Sequence, residues 1–179
     1  PLRTVENFLR TTFYPDGMGV TSLMKAAISN DVPLAQDYIY QSGIRDSVGN
    51  SALMYCARSG AADVAKLLLK AETGLRNKRK ETALMIAVEH ENIEVVRLLA
   101  NSELGLRDLG NRNPLAIAFQ NQNIDILQIL LKTSYEQGII AQLTTNEATN
   151  TTYLMRAVEM GDLELIRILV PYMAKKINN

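Results

Sequence analysis

The sequence predicts an all-α solenoid of stacked helix-turn-helix units joined by hairpin loops, on three observations. One phrase recurs: Thr21-Ser22-Leu23-Met24-Lys25-Ala26-Ala27, Ser51-Ala52-Leu53-Met54-Tyr55-Cys56-Ala57 and Thr82-Ala83-Leu84-Met85-Ile86-Ala87-Val88, with weaker copies from Asn113 to Phe119 and from Thr152 to Val158. Its leucines Leu23, Leu53, Leu84, Leu115 and Leu154 lie 30, 31, 31 and 39 residues apart. A second apolar run then follows about ten residues on, as in Val64-Ala65-Lys66-Leu67-Leu68-Leu69 and Val95-Val96-Arg97-Leu98-Leu99. Last comes a Gly-centred connector, Gly43-Ile44-Arg45-Asp46, Gly74-Leu75-Arg76-Asn77 or Gly105-Leu106-Arg107-Asp108, that ends seven residues before the next leucine. A period in this range marks a repeat array, in which each helix pair is too small to cover its own apolar faces and stacking neighbours bury them.

The elements follow in order. Residues 1–15 hold a capping helix, because Val5, Phe8, Leu9 and Phe13 fall on one helical face and can cover the open side of the first unit. Five units then run over about 16–45, 46–76, 77–107, 108–146 and 147–179. Within each, the phrase forms the first helix. Small residues at Ala26/Ala27, Cys56/Ala57 and Ala87/Val88 let helices of neighbouring units approach. Met24, Met54, Met85 and Met155 follow the leucines in register and read as fillers of the stack. Asp63 and Glu94 open second helices, where a carboxylate suits the helix dipole. Gly43, Gly74, Gly105 and Gly138 are expected to close second helices in the left-handed conformation. Asp46, Asn77 and Asp108 are expected to accept nearby backbone N–H groups. Arg45, Arg76 and Arg107 are expected to bond local carbonyls or acidic groups such as Glu72 and Glu103. The longer spacing before Leu154 holds eight extra residues, two near Lys132 to Gln137 and about six in a hairpin insertion between Ile140 and Asn150. Pro171 is expected to interrupt or bend the last helix.

The phrases and connectors together resemble ankyrin repeats, whose pattern is Asp-x-x-Gly-x-Thr-Pro-Leu-His-x-Ala-Ala followed by Gly and a second helix. The stretch from Asp46 to Gly60 matches it at Asp46, Gly49, Leu53, Ala57 and Gly60, with Ser for Thr, Ala for Pro and Met for His. The units are about two residues shorter than the family's. Thr-Ala-Leu-Met in place of Thr-Pro-Leu-His resembles ankyrin arrays of large protist families, some of which carry a NimA-related kinase domain. That resemblance implies a non-enzymatic protein–protein interaction module. The alternative it leaves open is a regulatory or targeting segment of a larger enzyme such as a NimA-related kinase.

Composition narrows the function classes. Nineteen Lys plus Arg balance nineteen Asp plus Glu, so no global charge draws the chain to phosphate polymers or anionic lipid, and neither nucleic acid nor membrane is an expected partner. A lone Cys56 forms no internal disulfide and favours a reducing, cytoplasmic compartment. It reads as a buried structural thiol. A start at Pro1 rather than Met reads as a fragment or processed form. No catalytic, cofactor or metal constellation emerges: His90 is the one histidine, on a variable helix position beside Glu89 and Glu91, and a single imidazole makes neither metal site nor triad. Asn150-Thr151-Thr152 fits a glycosylation acceptor, but chance is the better reading without a signal segment.

The resemblance implies contacts at hairpin tips and exposed inner-helix positions, here Ser47, Val48, Asn50, Arg58 and Ser59, then Lys78, Arg79, Glu81, Glu89 and His90, then Leu109, Arg112, Gln120 and Asn121. The candidate partner-binding set is Arg58, Lys78, Arg79, Glu81, His90, Arg112 and Gln120. Arg76, Lys78, Arg79 and Lys80 form the one dense basic cluster, which suits an acidic peptide or acidic helix docked on a monomer. The same tips read equally as charged turns that serve solubility.

Overall fold

The computed structural model describes residues 19–140, 145–146 and 151–173; the expected capping helix lies outside them. Five helix pairs follow one another: α1 (Ser22–Ser29) with α2 (Val32–Asp37), α3 (Ala52–Ser59) with α4 (Ala62–Glu72), α5 (Ala83–Glu89) with α6 (Ile93–Glu103), α7 (Pro114–Gln120) with α8 (Ile124–Glu136), and α9 (Tyr153–Met160) with α10 (Leu163–Met173). A 3-10 turn, Ile39–Gln41, extends the first pair.

Each phrase starts a helix for a local reason. The side-chain oxygens of Thr21, Thr82, Asn113 and Thr152 accept the N–H groups of Met24, Met85, Ala116 and Met155, satisfying donors that a helix start leaves open. Ser51 holds the same place before α3 but makes no such bond, and its buried hydroxyl has no partner. Between the two helices of each pair one residue turns left-handed: Asn30, Gly60, Glu91, Gln122 and Gly161. Second helices are capped in turn by Asp31, Asn123 and Asp162, which accept from Leu34, Ile126 and Leu165. Ala61 cannot do this for α4, and Asn30 of the preceding unit accepts the Val64 N–H instead at 3.2 Å.

First helices α1, α3, α5 and α7 pack in one row and second helices α2, α4, α6, α8 and α10 in another. One continuous core runs between them, with Leu23, Leu53, Leu84, Leu115, Cys56, Leu99 and Leu130 fully buried. Phe119 stacks on Tyr153 at 4.9 Å, joining the fifth unit to the fourth. The two extra residues expected near Lys132 to Gln137 lie in α8. They lengthen it to 13 residues where α4 and α6 have 11. Between α8 and α9 the described residues include a small antiparallel ladder, Thr145–Asn146 paired with Thr151–Thr152.

Buried carboxylates clip neighbouring units together. Glu72 accepts the Gly43 N–H of the unit before it at 2.8 Å and the Leu53 N–H of its own unit at 2.7 Å. Glu103 repeats this with Gly74 and Leu84, both at 2.7 Å. Gln41 holds the equivalent place in the first unit, where its amide oxygen accepts the Leu23 N–H. Ser134 holds it in the fourth, and its hydroxyl bonds the Leu131 carbonyl of its own helix.

Four expectations are corrected. Gly43, Gly74 and Gly138 are left-handed, with φ of 83°, 82° and 70°, but Gly105 is not. Thr73 has ψ 136° where Leu104 has ψ −34°, so the peptide that carries the Gly74 N–H is turned over, as in a type II turn, relative to the type I form at Gly105. The type II form aims that N–H at Glu103; no carboxylate stands at position 134 to reward it at Gly105. Glu72 and Glu103 therefore bond amides rather than the connector arginines, while Arg45, Arg76 and Arg107 bond local carbonyls as expected. Met24, Met54 and Met85 fill the core, but Met155 is 52% exposed, since no described unit covers α9. Pro171 lies within α10 without interrupting it, since the helix continues to Met173.

Candidate partner-binding surface

The hairpins between units are built on one plan. Asp46, Asn77 and Asp108 close them through backbone bonds to Asn50, Glu81 and Arg112. Their side-chain oxygens accept N–H groups as expected, from Val48 and Asn50, from Arg79 and Glu81, and from Arg112. Adjacent tips are tied by backbone bonds, Lys78 N–H to Val48 carbonyl at 3.1 Å and Leu109 N–H to Arg79 carbonyl at 3.0 Å. Gly49, at φ 88°, sits so close that a Cβ there would meet the Lys78 backbone nitrogen at 3.0 Å. Beneath the tips, Arg45 donates to the Arg76 carbonyl at 2.6 Å and Arg76 to the Arg107 carbonyl. Arg45 and Arg76 thus each grip the next unit, and the tips form a braced row.

The candidate residues take different places on this frame. Lys78 is exposed, and its Nζ donates to the Ser47 carbonyl at 2.7 Å. Arg79, 69% exposed, pairs with Glu81 at 3.0 Å. Glu81 is buried and also accepts from Asn77 Nδ2 at 2.8 Å; it braces Arg79 from below. Arg112 is likewise engaged, pairing with Asp108 at 2.8 Å. Arg58 is exposed in the last turn of α3. His90 is exposed at the end of α5, with Nδ1 3.0 Å from the Ile86 carbonyl. Gln120 is exposed at the end of α7.

The middle hairpin thus gathers Lys78 and Arg79 at its tip, with Glu81 and Arg112 at hairpin bases. Arg58, His90 and Gln120 stand apart from it on first-helix ends of three successive units. Among the described residues, Arg58, Lys78 and Lys80 have no carboxylate partner. Sequence reasoning passed over the burial at position 81, although the register held a signal. Asn50, Glu81 and Arg112 share one position, four residues after Asp46, Asn77 and Asp108, where a polar side chain meets the hairpin's closing residue.

Elsewhere, Cys56 is buried, and burial followed by the charge of Glu72 pushes its thiol up to about 12. Among the described residues no three His, Cys, Asp or Glu side chains gather to hold a metal ion. No helix among them is long and apolar enough to cross a membrane.

A family model described as Ankyrin repeats matches in three copies, over residues 23–108, 69–141 and 104–179. No curated protein matches the chain.

Proposed function

This chain belongs to the ankyrin-repeat family, and from that premise we propose that its middle hairpin holds an acidic segment of a protein partner. Ankyrin repeats are generally protein–protein interaction modules and typically non-catalytic. The observation that carries the proposal is the composition of the braced tip. Among the described residues Lys78 and Lys80 have no carboxylate partner, and the hairpins tied to theirs present the exposed apolar side chains Val48 and Leu109, 54% and 65% accessible. Cations around apolar anchors suit a carboxylate-bearing partner that also brings apolar side chains. Because tip backbones are tied to one another, little ordering is needed on binding, which favours affinity.

In this reading Lys78 and Arg79 meet the partner's carboxylates, Glu81 fixes the Arg79 guanidinium, and Arg58, His90, Arg112 and Gln120 border the contact. The module acts as a cytosolic monomer, a setting that suits the buried reduced Cys56. The test is an affinity pull-down from source-cell lysate, with wild type against an Arg58→Glu, Lys78→Glu, Arg79→Glu variant shown to be folded by circular dichroism. A partner retained by wild type and lost from the variant supports the hairpin surface. Equal retention moves the contact elsewhere and overturns the assignment.

A further inference from the structure

A second surface lies on the opposite row of helices. An open groove of about 700 Å³ crosses α6, α8 and α10, within the size range of sites that hold ligands. Its apolar lining is Ile93, Ile129, Ile168 and Tyr172, all partly buried and packed on the core. Arg97, Lys132 and Arg167 bring three cations to it, against Asp125 as the one carboxylate in its lining.

Two of those cations are available. Lys132 and Arg167 are exposed and have no carboxylate partner among the described residues. Arg97 reaches Glu94 only at 4.0 Å, with both side chains more than half exposed, a pairing worth little in water. Register explains the imbalance. Arg97, Gln128 and Arg167 occupy one position of three successive second helices, each three residues after an acid, Glu94, Asp125 and Glu164. Lys132, one turn beyond Gln128 on α8, leaves the groove with a surplus of two positive charges.

We infer that this groove binds an extended acidic peptide segment that carries apolar side chains between its carboxylates. Two interhelical steps of about 8–10 Å set a span of up to about 20 Å from α6 to α10, the reach of about six extended residues. A small anion would leave most of the apolar lining uncovered. An extended peptide that repeats two Glu and two apolar residues turns one carboxylate and one apolar side chain of each repeat to the groove, setting carboxylates against Lys132 and Arg167 and apolar groups against Ile129 and Ile168. This site does not depend on the hairpin reading and shares no residue with it.

Fluorescence anisotropy with a short fluorescein-labelled peptide repeating Glu-Glu-Leu-Phe tests it, against the full chain and two folded variants, Lys132→Glu/Arg167→Glu and Lys78→Glu/Arg79→Glu. The expected result is saturable binding that weakens at least about tenfold in the first variant, as loss of paired charges at an interface does, and is retained in the second. No saturable binding to wild type, or equal affinity for the first variant, overturns the site. Loss in the second variant alone moves the peptide to the hairpins and overturns it too. Equal binding of a Glu-Glu-Gly-Ser peptide overturns the role of the apolar lining. Sedimentation with phosphatidylserine vesicles in place of peptide binding converts the groove to a lipid contact and overturns the peptide assignment.

Discussion

Replacing Glu72 by Gln removes one acceptor from a buried site into which two N–H donors point. Glu72 has one carboxylate oxygen on the Gly43 N–H at 2.8 Å and the other on the Leu53 N–H at 2.7 Å. A glutamine amide fills the same volume but offers one oxygen, so its NH2 group must face one of these donors. The lost bond is charge-assisted and the orphaned N–H is cut off from water, which together cost about 1–3 kcal/mol. For a chain of this size that lowers Tm by about 2–4 °C per kcal/mol. The first unit supplies the control. Among the described residues Gln41 holds the same place with one N–H donor, that of Leu23, and glutamine suffices there. Urea unfolding followed by circular dichroism measures the difference. A Glu72→Gln change within about 0.5 kcal/mol of wild type, the range of ordinary surface substitutions, refutes the clip.

Three further outcomes follow from the same frame. Glu103 is held above its ordinary value of 4.5 chiefly by burial, against the opposing pull of N–H donors from Gly74 and Leu84 and of the Thr82 side chain. Its folded pKa being the higher one, the native state holds more protons, so its contribution is full below about 4.5 and is lost as pH rises through the raised value. Urea midpoints of wild type and Glu103→Gln from about pH 4 to 8 test this, and parallel curves refute it. Thr82→Ala, which removes the acceptor of the Met85 N–H, costs about 1 kcal/mol; Ser51→Ala, which removes a buried hydroxyl without a partner, costs none, and equal losses in thermal melts contradict the capping account. Cys56, buried with its thiol pushed up to about 12, resists a disulfide reagent until the chain unfolds; rapid labelling of native protein contradicts its burial.

The fold was legible because a repeat states its pattern several times. Helix pairs, hairpin closures at Asp46, Asn77 and Asp108, and the two extra residues in α8 all follow from register. What crosses between units was not legible. Glu72 and Glu103 recur 31 residues apart, yet only the stack shows that each reaches back to a glycine one unit earlier. The same contact accompanies the left-handed turn at Gly43 and Gly74 and is missing at Gly105, whereas Gly138 turns left-handed at the end of α8 without it. At the candidate surface, sequence located the basic hairpin but read Glu81 as a contact residue. Its burial depends on Asn77 and Arg79 closing over it, a geometry of three side chains that residue types alone do not fix.

The central claim is that the braced hairpin row is the recognition surface, and hydrogen exchange on the chain with and without its captured partner tests it most directly. The account predicts new protection concentrated at residues 47–50, 78–81 and 109–112. Protection confined to the second helices, or none at any hairpin, contradicts it.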